Sequence, residues 1–202
     1  MGEDYFFKGA SYKSSYPSVQ SAPDDSIPIV VFTGRSNSGK SSLISALCRH
    51  KNLAHSSGTP GKTRLLNYFS VPFKKFGLEE IYFVDMPGYG YAKLSSSEKK
   101  ELRMMVDNFL IQKKDIRLML VVLDARRNLG EEEKNIILYC KEHHVPFLLV
   151  RTKWDTLNQK EKAGVIKNWK AERIYDDCAA VSSLKTTGLN QVAEKIIFSV
   201  TN

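Results

Sequence analysis

Short β-branched runs alternate along this chain with longer charged segments whose apolar residues recur at helical spacing. Ile29 to Phe32 is followed by Ser41 to Arg49, Ile81 to Val84 by Ser96 to Gln112, and Leu118 to Leu123 by Glu131 to His143. Pro146 to Val150 then precedes Gln159 to Arg173, and Ala179 to Val181 precedes Leu189 to Val200. Runs this short and apolar read as buried strands, and the segments between them as amphipathic helices. Strands and helices in regular alternation predict an α/β fold, a mainly parallel sheet covered by helices on both faces. The pattern changes at Leu65, where Leu65, Asn67, Phe69 and Val71 fall on one face of an alternating strand. With Phe73 to Gly77 and Glu79 to Val84 behind it, that stretch predicts a hairpin and one antiparallel edge strand, about six strands in all with five helices.

Composition sets the frame for this pattern. The 202 residues are 42% apolar, enough for one domain. Residues 1–26 hold Ser, Tyr, Lys and Pro without either period and read as an N-terminal extension, partly ordered, ahead of a domain spanning 27–202. The apolar stretches fall far short of the ~20 residues a membrane helix needs, so no membrane association is expected. Met1-Gly2-Glu3-Asp4 carries neither a basic leader nor an acylation pattern, and a cytoplasmic location is the expectation. Cys48, Cys140 and Cys178 are far apart in no metal or redox spacing and are expected to be buried thiols. A formal net charge of +8 favours acidic partners such as nucleotides or RNA.

The candidate chemistry begins with Gly34-Arg35-Ser36-Asn37-Ser38-Gly39-Lys40-Ser41, which is G-x-x-x-x-G-K-S between an apolar strand and an amphipathic helix. Glycines in such a loop let successive backbone N–H groups converge on phosphate oxygens at the positive end of the helix, with Ser42 following in the first turn. Lys40 is expected on the β- and γ-phosphates and Ser41 on Mg²⁺, a cation that takes oxygen ligands and keeps several waters. Asp85-Met86-Pro87-Gly88 ends the strand Ile81 to Val84, which delivers a carboxylate to the edge where ligands of α/β proteins sit. Asp85 is expected to hold Mg²⁺ through water, and the Gly88 N–H to sense the γ-phosphate.

Thr152-Lys153-Trp154-Asp155 follows the strand Pro146 to Val150 and resembles the N/T-K-x-D element of GTPases. Guanine offers N1–H and N2–H to a carboxylate, whereas adenine presents an acceptor at N1 and no N2 amine, so Asp155 favours GTP over ATP. Lys153 is expected to lay its stem along the purine, Thr152 to tie this loop to the phosphate loop, and Trp154 to pack rather than stack on base. Val181, Ser182 and Ser183 resemble the last GTPase element, whose N–H groups approach the guanine O6.

The finer wording resembles one family. Gly34 to Asn37, Lys51-Asn52-Leu53-Ala54, Pro60-Gly61-Lys62-Thr63, Asn67-Tyr68-Phe69, Phe83 to Lys93 with its D-x-P-G-Y-G-Y-A-K run, and Thr152 to Asp155 are similar to the EngB (YihA/YsxC) family from about Ile27 to the end. The resemblance implies a P-loop GTPase with a Ras-like G domain, a monomer acting in assembly of the large ribosomal subunit or its precursor with its rRNA. Family members are also described as needed for normal cell division and septation. It further places Gly61, Lys62, Thr63, Arg64 and Leu65 in switch I, with Thr63 rather than Thr59 on Mg²⁺ and the γ-phosphate. Ser38 and Arg64 depart from the family's usual residues at positions that touch no required ligand.

Ras-type enzymes orient the attacking water with a glutamine directly after D-x-x-G; here Tyr89 holds that place. A phenol cannot replace the amide's paired donor and acceptor, so slow intrinsic hydrolysis is expected, raised by a partner or a cation. Asn37 either caps its loop or, by analogy with related GTPases, binds K⁺ where an arginine finger would reach. Two other readings stand beside the GTPase switch. One is a nucleotide-gated binding module of the division machinery with incidental turnover, and the other an ATP or nucleoside kinase, which would lack the T-K-x-D and D-x-P-G elements. Lys99-Lys100, Lys113-Lys114 and Arg126-Arg127 are ordinary surface pairs singly and together a candidate basic face for rRNA.

Overall fold

The computed structural model describes residues 7–54, 65–89, 95–171 and 177–202. Its strands are β1 (Ser11–Tyr16), β2 (Ile29–Gly34), β3 (Leu66–Lys75), β4 (Leu78–Asp85), β5 (Ile116–Asp124), β6 (Phe147–Thr152) and β7 (Cys178–Ala180). They form one sheet in the order β1-β3-β4-β2-β5-β6-β7. Helices α1 (Lys40–Leu47), α2 (Ser96–Gln112), α3 (Glu131–Glu142), α4 (Gln159–Ala171) and α5 (Leu189–Thr201) connect them. The parallel pairings β4-β2-β5-β6-β7 fix the alternating α/β plan.

Two details differ from the sequence expectation. The sheet has seven strands among the described residues, not six, because Ser11–Tyr16 pairs antiparallel with β3. Its sequence SYKSSY has no alternating apolar residues, since an edge strand exposed over its first half needs none. The strand that runs against the others is β3, and it lies inside the edge, paired antiparallel on both sides. The β3–β4 hairpin closes at Phe76 and Gly77, with φ of 54° and 79°. Positive φ at both turn residues matches the right-handed twist of the flanking strands.

Strand residues alternate between two apolar layers. Phe32, Phe69, Val71, Phe83, Leu120 and Val150 pack under α1 and α5 with Leu43, Leu47 and Ile196. Leu66, Tyr68, Val84, Met119, Val121 and Leu149 pack under α2, α3 and α4 with Phe109, Ile137 and Trp169. Both faces of β3 are therefore covered, and its polar Asn67 and Ser70 sit half-buried between. The N-terminal segment joins both layers: Phe7 enters the first, edge-to-face on Phe83 at 5.1 Å, and Val19 and Ala22 enter the second. All three cysteines are buried and none forms a disulfide, and burial pushes the Cys48 and Cys140 thiols up to about 12.

Candidate functional site

The carboxyl ends of β2, β4, β5 and β6 open onto one rim, and the predicted loops meet there. Gly34 ends β2 with φ 153°, and a Cβ at this position would stand 2.2 Å from the Val122 carbonyl oxygen, so only glycine fits between β2 and β5. The loop then turns tightly, with Ser38 N–H donating to Arg35 O at 3.1 Å, Asn37 at φ 62° and Gly39 at φ 97°. Helix α1 begins at Lys40, so its unpaired N-terminal N–H groups face the loop. Ser41 and Ser42 lie in its first turn.

Lys40 is largely buried. Its ammonium donates to Gly34 O at 3.4 Å and lies 3.9 Å from Asp85 Oδ1. Asp85 ends β4 in register with Phe32 of β2, and Met86 N–H donates back to Phe32 O. Burial pushes the Asp85 carboxyl up to about 6, against the opposing pull of Lys40. Its buried Oδ1 has no hydrogen-bond partner among the described residues. An orphaned carboxylate oxygen this deep signals a missing partner. Beyond Met86 and Pro87, a Cβ at Gly88 would stand 2.9 Å from Ser36 N and 3.2 Å from Lys40 Nζ. Tyr89 O accepts from Ser36 N–H at 3.0 Å, which lays this segment on the phosphate loop.

The second half of the site is held to the first by side chains from the end of β6. Thr152 Oγ1 donates to Ser38 O, and Lys153, left-handed at φ 56°, donates from Nζ to Asn37 O at 2.9 Å. Trp154 stacks at 5.7 Å on Trp169 as a packing residue. Its N–H donates to Val181 O at 3.1 Å, joining the loop to the end of β7. Asp155 is half-exposed, and its carboxyl is lowered chiefly by the Ser182 hydroxyl, with lesser help from Lys185 and Lys162. The turn at Ser182 and Ser183 is closed by Lys185 N–H donating to Ser182 Oγ at 3.0 Å.

The structure thus gathers Gly34 to Ser42, Asp85 to Gly88, Thr152 to Asp155 and Val181 to Ser183 around one rim, with Leu65 just ahead of β3. Gly61, Lys62, Thr63 and Arg64, with Thr59, lie outside the described residues. Sequence reasoning overlooked Asp124, a buried carboxylate at the end of β5 that lies 3.0 Å from Lys153 Nζ. Arg126, read from the sequence as part of an ordinary surface pair, is exposed and forks its guanidinium onto Asp124. Glu133, in the first turn of α3, is buried and accepts from Tyr89 OH at 3.1 Å. The one signal for Asp124 was its place after an apolar run, the place Asp85 also holds.

The donor set fits a hard divalent cation shared with phosphates. Among the described residues no three His, Cys, Asp or Glu side chains gather as a metal cluster. Instead a hydroxyl at the start of α1 and the orphaned Asp85 oxygen are available, and such a pair leaves most of the shell to phosphate and water, as Mg²⁺ binding usually does.

A strand, a glycine loop closing on the N-terminus of α1, a strand-end aspartate and a T-K-x-D loop bonded to the glycine loop define a P-loop GTPase. Residues 29–153 match the family model described as 50S ribosome-binding GTPase. The "Probable GTP-binding protein EngB" of Chlorobaculum parvum is 39% identical over 197 residues, covering 93% of this chain and 95% of its own length. The protein of the same name from Campylobacter lari is 38% identical over 192 residues, covering 93% and 94%. The chain belongs to the EngB family of GTP-binding proteins. A crystal structure described as a probable GTP-binding protein EngB shares the fold at TM-score 0.65 and 19% identity, covering 85% of this chain and 98% of that one. Era, solved with MgGDPNP and nucleotides of 16S ribosomal RNA, shares it at TM-score 0.68 and 22% identity, covering 86% of this chain and 56% of its own.

Proposed function

We propose that this GTPase is a Mg²⁺-dependent switch that acts in assembly of the large ribosomal subunit, engaging the particle in one nucleotide state and leaving it in the other. The observation that carries the site reading is the join between its halves: Thr152 and Lys153 bond to the carbonyls of Ser38 and Asn37, so base loop and phosphate loop form one cradle. The match to a ribosome-binding GTPase family supports the particle as partner, and a chain of net charge +8 suits rRNA phosphates.

In this reading the N–H groups of Asn37 and of Gly39 to Ser41 receive the phosphates and Lys40 neutralises their charge. Ser41, Thr63 and, through water, Asp85 hold Mg²⁺, which when bound offsets charge on the phosphate oxygens. Gly88, already against Lys40, is placed to report the γ-phosphate through its N–H. Asp155 selects guanine, Lys153 supplies the floor under the ring, and the Ser182 and Ser183 N–H groups face O6. Hydrolysis by the protein alone is slow, because Tyr89 cannot orient water, and a partner or K⁺ at Asn37 raises it. Cytoplasmic action as a monomer belongs to the same reading; among the described residues no helix is long and apolar enough to cross a membrane. The family's link to division and septation extends this reading on resemblance alone.

The test is co-sedimentation with large subunits and their precursors, with the protein loaded in turn with a non-hydrolysable GTP analogue and GDP across a salt series. Binding in the analogue state alone, weakening with salt, is expected. Absence of binding in both states, with capture instead by a division protein, would favour the binding-module reading.

A further inference from the structure

Asp124 ends β5 with its side chain only 8% exposed, and its oxygens serve two partners. Oδ1 accepts the Arg126 backbone N–H at 3.0 Å and the Arg126 Nε at 2.9 Å. Oδ2 accepts from the same guanidinium and lies 3.0 Å from Lys153 Nζ. The Arg126 fork first, and Lys153 after it, hold the carboxyl well below the usual carboxylate range, so its charge is permanent at working pH.

The lysine needs such an anchor. Its ammonium is a point charge on a flexible four-carbon stem, and by itself nothing fixes where that stem lies. Here two acceptors from different loops converge on Nζ: Asn37 O of the phosphate loop at 2.9 Å and Asp124 Oδ2 of β5 at 3.0 Å. The backbone of Lys153 is left-handed at φ 56°, so the side chain leaves the loop in a set direction and is caught at its far end. Arg126 is 55% exposed in its side chain and can exchange its fork for water, whereas the contact from Asp124 to Lys153 spans two strands.

We propose that Asp124 is a positioning residue for guanine recognition: by anchoring the Lys153 ammonium between β5 and the phosphate loop, it holds the lysine stem as the surface on which the purine lies. This rests on the assignment of Thr152 to Asp155 as the base site. The effect falls on the base, which GDP and GTP share, and not on the phosphates.

The test is a double-mutant cycle on release of fluorescent GDP and of a fluorescent non-hydrolysable GTP analogue from the full chain with Mg²⁺, with thermal midpoints measured for every variant. D124N is expected to speed release of both nucleotides by about ten-fold in the parent and by less than about two-fold in the K153A background, the signature of contacting residues that act as a unit. R126A, which leaves Oδ2 to Lys153, is expected to stay within about two-fold of the parent. D124S is measured alongside, so that the cycle closes even if the asparagine variant misfolds. Additive effects of D124N and K153A, parental release from D124N, an effect confined to the triphosphate, or an R126A effect equal to that of D124N would each overturn the inference while leaving the base site standing. Parental release from K153A would sink the base-site assignment itself, and this inference with it.

Discussion

Tyr89 and Glu133 are joined across the mouth of the sheet: the phenol donates to Glu133 Oε1 at 3.1 Å while Glu133 Oε2 accepts the Gly130 N–H at 2.9 Å. One buried carboxylate thus caps α3 and holds the residue that follows Asp85 to Gly88. The phenol is raised far above its usual range, by burial first and by Glu133 next. Its hydroxyl is engaged by α3 and is not free to serve hydrolysis. Y89F is expected to leave GTP turnover of the isolated protein within about two-fold and to lower unfolding free energy by about 1–2 kcal/mol, a hydrogen bond to a charged group. Phosphate release and urea unfolding check both; a ten-fold change in turnover would contradict the assignment.

Asp85 predicts a pH dependence of the nucleotide-free, metal-free protein. Its carboxyl stands at about 6 when folded against 3.8 as the ordinary value, so the folded chain binds the proton more tightly than the unfolded one. The sign follows: through this group, stability falls as pH rises from about 4 to about 6, and the full cost remains above that. D85N removes the cost and is expected to raise the neutral-pH stability by on the order of 3 kcal/mol while weakening Mg²⁺-dependent nucleotide binding. Thermal midpoints from pH 4 to 8 decide it, and a D85N curve parallel to the parent's would contradict the prediction.

Two glycines with positive φ should respond differently to alanine. A Cβ at Gly34 meets the Val122 carbonyl at 2.2 Å, whereas one at Gly77, φ 79°, meets nothing within 4 Å. G77A is expected to cost about 1 kcal/mol from backbone strain alone, and G34A well over 2 kcal/mol, because strand β5 must move. Denaturant titrations of the two variants measure the difference.

The N-terminal segment belongs to the core in energetic terms. Phe7 is 5% exposed, packs edge-to-face on Phe83, and its N–H donates to Leu47 O at the end of α1 at 3.0 Å. F7A is expected to destabilise by about 3 kcal/mol, as buried aromatic truncations do. A loss under about 0.5 kcal/mol would show that the segment detaches in solution.

The contrast between Phe7 and β2 shows what the sequence discloses. Ile29 to Gly34 is buried at every position, so its apolar run announced a central strand. Ser11–Tyr16 borrows its order from β3, and no local period marks it; its evidence lies in Ser15 donating to Asn67 and Tyr16 packing on Tyr68. The site divides the same way. Gly34 to Ser41, Asp85 and Thr152 to Asp155 were legible because phosphate and guanine chemistry demand those residue types at fixed spacing. Asp124 and Glu133 were not, since a carboxylate that works by holding Lys153 or Tyr89 has meaning only once β5, α3 and β6 are placed in space.

Guanine selection by Asp155 is the claim on which the site stands, and exchanging its carboxylate for an amide tests it most directly. Equilibrium binding of GDP and xanthosine diphosphate to the parent and to D155N is the measurement. The xanthine edge carries a carbonyl where guanine has its N2 amine, so an asparagine amide matches it and a carboxylate does not. The expected result is a loss of GDP affinity by about two orders of magnitude with a matching gain for the xanthosine nucleotide. Undiminished GDP affinity in D155N would place guanine recognition elsewhere and contradict the account.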